Sequence, residues 1–104
     1  MRIDYATYLQ TEEYLKRDDR IIVALGSVEQ HGKAVATGID YLIPQAIAER
    51  AADDLNLLCT PPLPFGCSLH HAAFPGTVSV RPTTFIALLD DLFDFLYRQG
   101  FRRI

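Results

Sequence analysis

Apolar and polar positions along the chain switch between helical and extended periods, and the switching predicts a mixed α/β fold. Residues 7–17 place Tyr8, Leu9, Tyr14 and Leu15 near helical spacing, with Thr11, Glu12 and Glu13 suited to opening a turn, which predicts a short helix. The unbroken run Ile21-Ile22-Val23-Ala24-Leu25 is β-branched at its start and reads as a strand buried on both faces. Residues 41–55 predict a second helix whose inner face carries Leu42, Ala46, Ile47, Ala51 and Leu55. Asp40 is placed to cap it, and Pro44 is tolerated on the expectation that it lies in the first turn, where no backbone N–H is needed. Leu57-Leu58-Cys59-Thr60 predicts a second strand.

Residues 61–76 then read as a long irregular loop rich in proline, glycine and histidine, and loops of that length often carry function. Within it, Phe74-Pro75-Gly76-Thr77 reads as a turn, with proline presetting φ and glycine taking the strained position. After a brief extended piece at 78–80, residues 82–99 give the clearest predicted helix. Arg81 or Pro82 opens it and Gly100 follows its end. Phe85, Leu88, Leu89, Leu92, Phe95 and Leu96 form a broad apolar stripe expected to be core, while Asp90, Asp91 and Asp94 form a solvated face. Phe101-Arg102-Arg103-Ile104 reads as the entry into a third strand. This order of elements implies parallel pairing with right-handed crossovers. So small a parallel sheet leaves edges and apolar faces uncovered. The single domain over residues 1–104 is therefore expected to be the N-terminal part of a larger α/β unit, or to rely on partner chains.

Composition narrows the partners. The 104 residues suffice for one small domain, and 49% apolar with 22% charged residues is ordinary for a globular protein. A net charge of −3, with basic residues scattered apart from Arg102-Arg103, offers no field for nucleic acid. No apolar run approaches the ~20 residues of a membrane span, and the first residues lack a signal-peptide core. Cys59 and Cys67, the only cysteines, fit no metal or redox spacing. A cytoplasmic protein with two buried, reduced thiols is expected, and Cys67 is read as inert rather than nucleophilic.

Candidate chemistry follows the first predicted strand. Glu29 and His31 are two residues apart, and in an extended segment that spacing points both the same way. They stand at the carboxyl end of the strand, where open α/β sheets place ligands. Asp40, at the start of the next helix, can fold over the same spot and bridge two cations. Carboxylate and imidazole are donors that borderline divalent metals accept. On their own residues alone, Glu29 and His31 are more simply a polar pair at a strand end. His70 and His71 are either exposed loop supports or pocket lining.

The run Gly26-Ser27-Val28-Glu29-Gln30-His31-Gly32, followed by Gly38-Ile39-Asp40, resembles the opening motif of the creatininase (creatinine amidohydrolase) family. Phe74-Pro75-Gly76-Thr77-Val78-Ser79 resembles its second signature, with Pro64-Phe65-Gly66 and His71 between the two. The resemblance implies a three-layer α/β/α sandwich with a mostly parallel sheet, assembled as a homo-oligomer, often a hexamer. It implies a metal-dependent amidohydrolase that cleaves the C–N bond of a non-peptide or cyclic amide, a small-molecule substrate, with metal-activated water. The metal would be zinc, manganese or iron, with two ions in the complete site. Glu29 would ligate one, His31 the other, and Asp40 would bridge them, with His71 contacting substrate. No residue is assigned as a catalytic acid or base. Where the family continues His-Gly-x-His-Leu-Pro, this chain has His31-Gly32-Lys33-Ala34-Val35-Ala36, which implies a changed pocket lining rather than a lost metal. The family's Asn-Gly-His motif, which supplies further ligands, is expected to follow the strand at Phe101 and to lie beyond Ile104. The competing expectation is a catalytically silent fragment or assembly subunit that keeps the fold and lacks a complete metal site.

Overall fold

A computed structural model describes Met1 to Ile104 throughout. Four segments run parallel. Strand β1 (Ile21–Ile22) pairs with β2 (Leu58–Cys59), Ile21 against Leu58 and Ile22 against Cys59. Single bridges widen and lengthen this ladder: Arg2 lies beside Cys59, Arg103 beside Arg20, and Leu25 beside Leu63. The Ile21 N–H donates to the Arg103 carbonyl at 3.0 Å, while the Ile22 carbonyl accepts from Thr60 at 2.9 Å, so β1 has neighbours on both sides. The predicted third strand is present as this bridge.

Three α-helices connect the segments: α1 (Tyr8–Leu15), α2 (Ile39–Leu55) and α3 (Pro82–Gln99). The step from β1 to β2 runs one way across the sheet, and the step from β2 to residue 103 runs back past β1. Right-handed crossovers in opposite directions put α2 and α3 on opposite faces. The class is the parallel α/β arrangement that the element order predicts.

Local chemistry sets the helix ends. Thr7 and Gln10 form a capping box, with the Gln10 N–H donating to Thr7 Oγ1 at 3.3 Å and the Thr7 N–H to Gln10 Oε1 at 2.8 Å. Helix α1 therefore starts after Thr7, and Thr11 lies inside it. Pro82 opens α3, and Gly100, at φ 117°, ends it. Helix α2 departs from expectation. It begins after Gly38, so Asp40 sits inside the first turn and does not cap it. Pro44 falls in the second turn, where its missing N–H deprives the Asp40 carbonyl of its usual helical donor.

The core gathers β1, β2 and one side of each helix. Phe101 and Leu58 are its largest fully buried side chains. Tyr14 packs its ring 6.3 Å from that of Phe101 and donates its hydroxyl to the Arg20 carbonyl at 2.6 Å. Burial pushes the Tyr14 phenol above its ordinary pKa.

The predicted inner face of α2 is rotated by one residue, about 100°. Ala48 and Ala52 are buried, whereas Leu42, Ala46, Ile47 and Leu55 face outward and Ala51 is half-buried. Two alanines let the helix lie close against β2, where larger side chains would hold it off. The α3 stripe is core only in part: Phe85, Leu89, Leu92 and Leu96 turn inward, while Leu88 and Phe95 are exposed. Leu25 is 38% exposed, so the first strand is buried on both faces only near its start. Cys59 is buried as expected but Cys67 is exposed. These uncovered apolar flanks accompany an elongated shape, with a radius of gyration of 15.4 Å against about 13 Å for a compact chain of this length.

The entry to β1 is clasped by Asp18. Its carboxylate takes Arg20 Nε at 2.9 Å and Nη2 at 2.6 Å, plus the Arg20 backbone N–H at 3.0 Å. Arg20 is the main reason that the Asp18 carboxyl sits far below the usual carboxylate range. A lowered folded value stabilises the protein above the unfolded value of about 3.9, and that stabilisation fades as pH falls below it. Asp18→Asn should lower the thermal unfolding midpoint at pH 7, and its gap to wild type should narrow progressively below about pH 4. A gap independent of pH would show that the charge contributes nothing.

Candidate metal centre

Beyond the Leu25–Leu63 bridge, the segments leaving β1 and β2 stay in contact, a Cβ on Gly66 falling 2.6 Å from the Gly26 carbonyl oxygen, and they carry the candidate residues at the carboxyl end of the sheet. The segment after β1 carries Glu29, Gln30 and His31. It is pinned by the Val78 N–H to the Val28 carbonyl and by the Glu29 N–H to the Thr37 carbonyl, each 2.9 Å. The loop after β2 contributes Ser68, and its short 3-10 turn (Leu69–His71) contributes His71. The first turn of α2 contributes Asp40.

Gly26 makes the third contribution possible. A Cβ there would lie 2.6 Å from both the Asp40 carbonyl oxygen and Tyr41 Cα. The bare glycine lets the strand rest on the turn whose carbonyl Pro44 leaves without a donor.

The structure brings the three proposed ligands together: one donor atom each from Glu29, His31 and Asp40 lies within 4.8 Å of the others. His31 Nε2 is 3.2 Å from Asp40 Oδ2, which also accepts from the Ser27 hydroxyl at 3.3 Å. His31 Nδ1 meets the Glu29 carbonyl oxygen at 3.0 Å. A carbonyl only accepts, so Nδ1 carries a proton and, in the neutral ring, Nε2 turns a lone pair toward Asp40. A proton on Nε2 or a metal ion between the two atoms satisfies that contact equally. A backbone carbonyl holding the far nitrogen is also how proteins orient a metal-ligating histidine.

Glu29 is the most enclosed of the three, its side chain 16% exposed. Its carboxyl is held below the usual range chiefly by the Ser68 hydroxyl, against burial, with His71 and His70 adding to the effect. Ser68 Oγ is buried and has no well-aligned hydrogen-bond partner, so it acts on Glu29 as a nearby dipole rather than a fixed bond. The ion-pair partners of Glu29 and Asp40 are histidines, with no lysine or arginine beside either. Two carboxylates without a permanent cation form a donor set suited to a divalent ion.

His71 forms one wall. Its Nε2 is 3.9 Å from Glu29 Oε1, and its Nδ1 is 2.9 Å from Gln30 Nε2. His70 stacks on it with ring centroids 4.1 Å apart and is exposed. Phe74–Thr77 is the turn expected: the Thr77 N–H returns to the Phe74 carbonyl at 3.2 Å and Gly76 adopts φ 89°. Its Thr77 hydroxyl accepts the Gln30 N–H at 3.1 Å, so the second motif props the first. Ser27, Gln30 and Ser68 carry no role in the sequence reading. Gln30 alternates away from Glu29 and His31 in an extended segment, and Ser68 is marked only by the histidines that follow it.

The sequence profile of the family described as creatininase, creatinine amidohydrolase, matches residues 4–104. A 3-dehydro-scyllo-inosose hydrolase of Thermotoga maritima is 35% identical over 98 residues, 93% of this chain and 32% of that protein. A creatinine amidohydrolase of Pseudomonas putida is 30% identical over 89 residues, 81% of this chain and 34% of that protein. A solved creatininase superposes with a TM-score of 0.92 at 29% identity, covering 98% of this chain and 42% of its own. Solved creatininases include a manganese form and a Zn–Zn form. The chain spans about a third of the length of the curated relatives it matches.

The Gly26 contact yields a test that leaves every ligand unchanged. Gly26→Ala should overpack the strand–helix contact, cost about 1–3 kcal/mol of stability and weaken Zn²⁺ binding by displacing Asp40. Thermal unfolding and zinc titration measure both effects. Wild-type values in both would show that the contact does not hold Asp40 in place.

Proposed function

The chain belongs to the creatininase family, and from that premise we propose that it supplies metal-binding side chains to an amide hydrolase. Glu29 serves one divalent ion, His31 a second, and Asp40 stands between them. The observation that carries this reading is the gathering of one donor atom each from Glu29, His31 and Asp40 within 4.8 Å of one another, with His31 Nε2 3.2 Å from Asp40 Oδ2. Oxygen and imidazole donors suit zinc, manganese and iron, and the manganese and Zn–Zn forms of solved creatininases support the first two. Divalent ions there supply Lewis acidity and lower the pKa of water, which amide hydrolysis needs near neutral pH. The chain's own residues prepare the site: Ser27 fixes one Asp40 oxygen, Ser68 favours ionised Glu29, and His71 lines the side open to substrate. The relatives are named for creatinine, a peptide precursor and an inosose, so kinship supports hydrolysis more strongly than any one substrate. The reading adopted is C–N cleavage in a small-molecule amide. No helix is long and apolar enough to cross a membrane, and two free cysteines fit a reducing, cytoplasmic setting.

An assembly role accompanies this reading. Ile43 and Ile47 on α2, and Ile86 and Phe93 on α3, present large apolar side chains to solvent, Ile47 at 63% exposure. Apolar faces of this kind mark contacts with other protein surface. The occupant proposed is a further copy of the chain, in the homo-oligomer that the family resemblance implies.

Two measurements test these proposals. Elemental analysis of Glu29→Gln, His31→Ala and Asp40→Asn should each time find less bound metal than in wild type; unchanged stoichiometry in all three rejects the ligand assignment. Sedimentation should find a larger species in wild type that Ile47→Asp and Phe93→Asp reduce. A wild-type monomer at every concentration removes the assembly role.

A further inference from the structure

Gln30 lies between two proposed ligands and serves neither. Its Oε1 accepts the Gly32 N–H at 2.9 Å, a contact reached because Gly32 adopts φ 76°. A backbone N–H only donates, so this bond decides which end of the Gln30 amide is oxygen. The Nε2 end is left facing His71 Nδ1 at 2.9 Å, and it too only donates. Neutral His71 therefore accepts at Nδ1 and carries its proton on Nε2. That nitrogen lies 3.9 Å from Glu29 Oε1, too far for its N–H to be spent on a hydrogen bond there. His31 has the opposite arrangement at Nδ1, whose N–H bonds the Glu29 carbonyl while Nε2 is turned to Asp40. The two imidazoles thus differ at Nδ1, a donor in His31 and an acceptor in His71, each set by a different neighbour.

We propose that Gln30 is a positioning residue that locks His71 in its Nε2–H form, making His71 a hydrogen-bond donor to the carbonyl oxygen of an amide substrate rather than a metal ligand. The substrate part rests on the reading of Glu29, His31 and Asp40 as the metal centre. The tautomer does not. Glu29, His70 and His71 also bring donor atoms within 4.8 Å of one another, yet in this tautomer His71 offers that cluster a proton instead of a lone pair. The Gln30 N–H bond to Thr77 Oγ1 fixes the backbone from which the side chain reaches, which ties the second motif to the state of His71.

Ring-nitrogen NMR of the full chain labelled with ¹⁵N-histidine, metal-free and with Zn²⁺, reads the tautomer directly. His71→Gln assigns the His71 signals, and circular dichroism confirms that each variant folds. Wild-type His71 should show a protonated Nε2 and an unprotonated Nδ1. In Gln30→Glu a carboxylate accepts from both Gly32 and the ring, which should place a proton on Nδ1 and move its signal accordingly. Gln30→Met should leave a mixture. A wild-type His71 protonated on Nδ1, or a Gln30→Glu spectrum identical to wild type, overturns the proposal. If Gln30→Glu does not fold, the wild-type spectrum alone decides. Zinc bound with His71 protonated on Nδ1 sinks this inference and spares the metal reading. An Nε2–H signal in a protein that binds no zinc sinks the metal reading and sustains the role of Gln30.

Discussion

The distance between the segment leaving β1 and the first turn of α2 governs the candidate site. Glu29 and His31 come from the segment and Asp40 from the turn, so their donor atoms meet only if the two backbones almost touch. Two residues far apart in the chain allow it. Gly26 removes the side chain that would strike the Asp40 carbonyl and Tyr41 Cα at 2.6 Å. Pro44 removes the N–H that would otherwise claim that carbonyl. Each is a local weakness, a glycine at a strand end and a proline within a helix, and together they place a carboxylate beside Glu29 and His31.

The resulting pocket runs against ordinary stability. It holds Glu29 and Asp40 within 4.8 Å of each other without a lysine or arginine between them. Like charges this close repel, and removing them from water adds to the cost. The fold accepts this with neutral or switchable groups: the Ser27 hydroxyl on Asp40, the buried Ser68 hydroxyl near Glu29, and two imidazoles. None of these is a permanent cation, so the negative surplus is left without a fixed counter-charge. Conflict of this kind between local stability and arrangement is expected where function resides.

What could be read from the sequence follows how local each signal is. Helix α3 was legible from end to end, because Pro82 and Gly100 fix its limits through their own backbone constraints. The two strands and the turn at Phe74–Thr77 were legible for the same reason. The meeting of Glu29, His31 and Asp40 was legible because extended spacing and the element order both point to the carboxyl end of the sheet. The face of α2 was not. Periodicity finds an apolar stripe, but the choice between Ile47 and Ala48 as the inner residue depends on how close β2 lies, which is a long-range fact. The same holds on α3, where Leu88 and Phe95 belong to the stripe yet face outward. Gln30 and Ser68 were invisible, since Thr77, His71 and Ser79, their partners, lie on other segments of the chain.

The two motifs divide the labour in a way that their order along the chain hides. The first, from Gly26 to Asp40, carries the proposed ligands. The second, from Phe74 to Ser79, contributes none, yet Val78 bridges Val28 and Thr77 holds the Gln30 N–H. Ser79 Oγ in turn accepts the Ser68 N–H at 2.8 Å, steadying the loop that sets Ser68 beside Glu29 and His71 beside Gln30. Rigid support of this sort is what hydrogen-bonded outer partners give a metal site, because donor atoms misplaced by even a fraction of an ångström lose affinity. The two separated stretches thus play different parts: one carries the candidate donor atoms, and the other holds the backbone beneath them against their mutual repulsion.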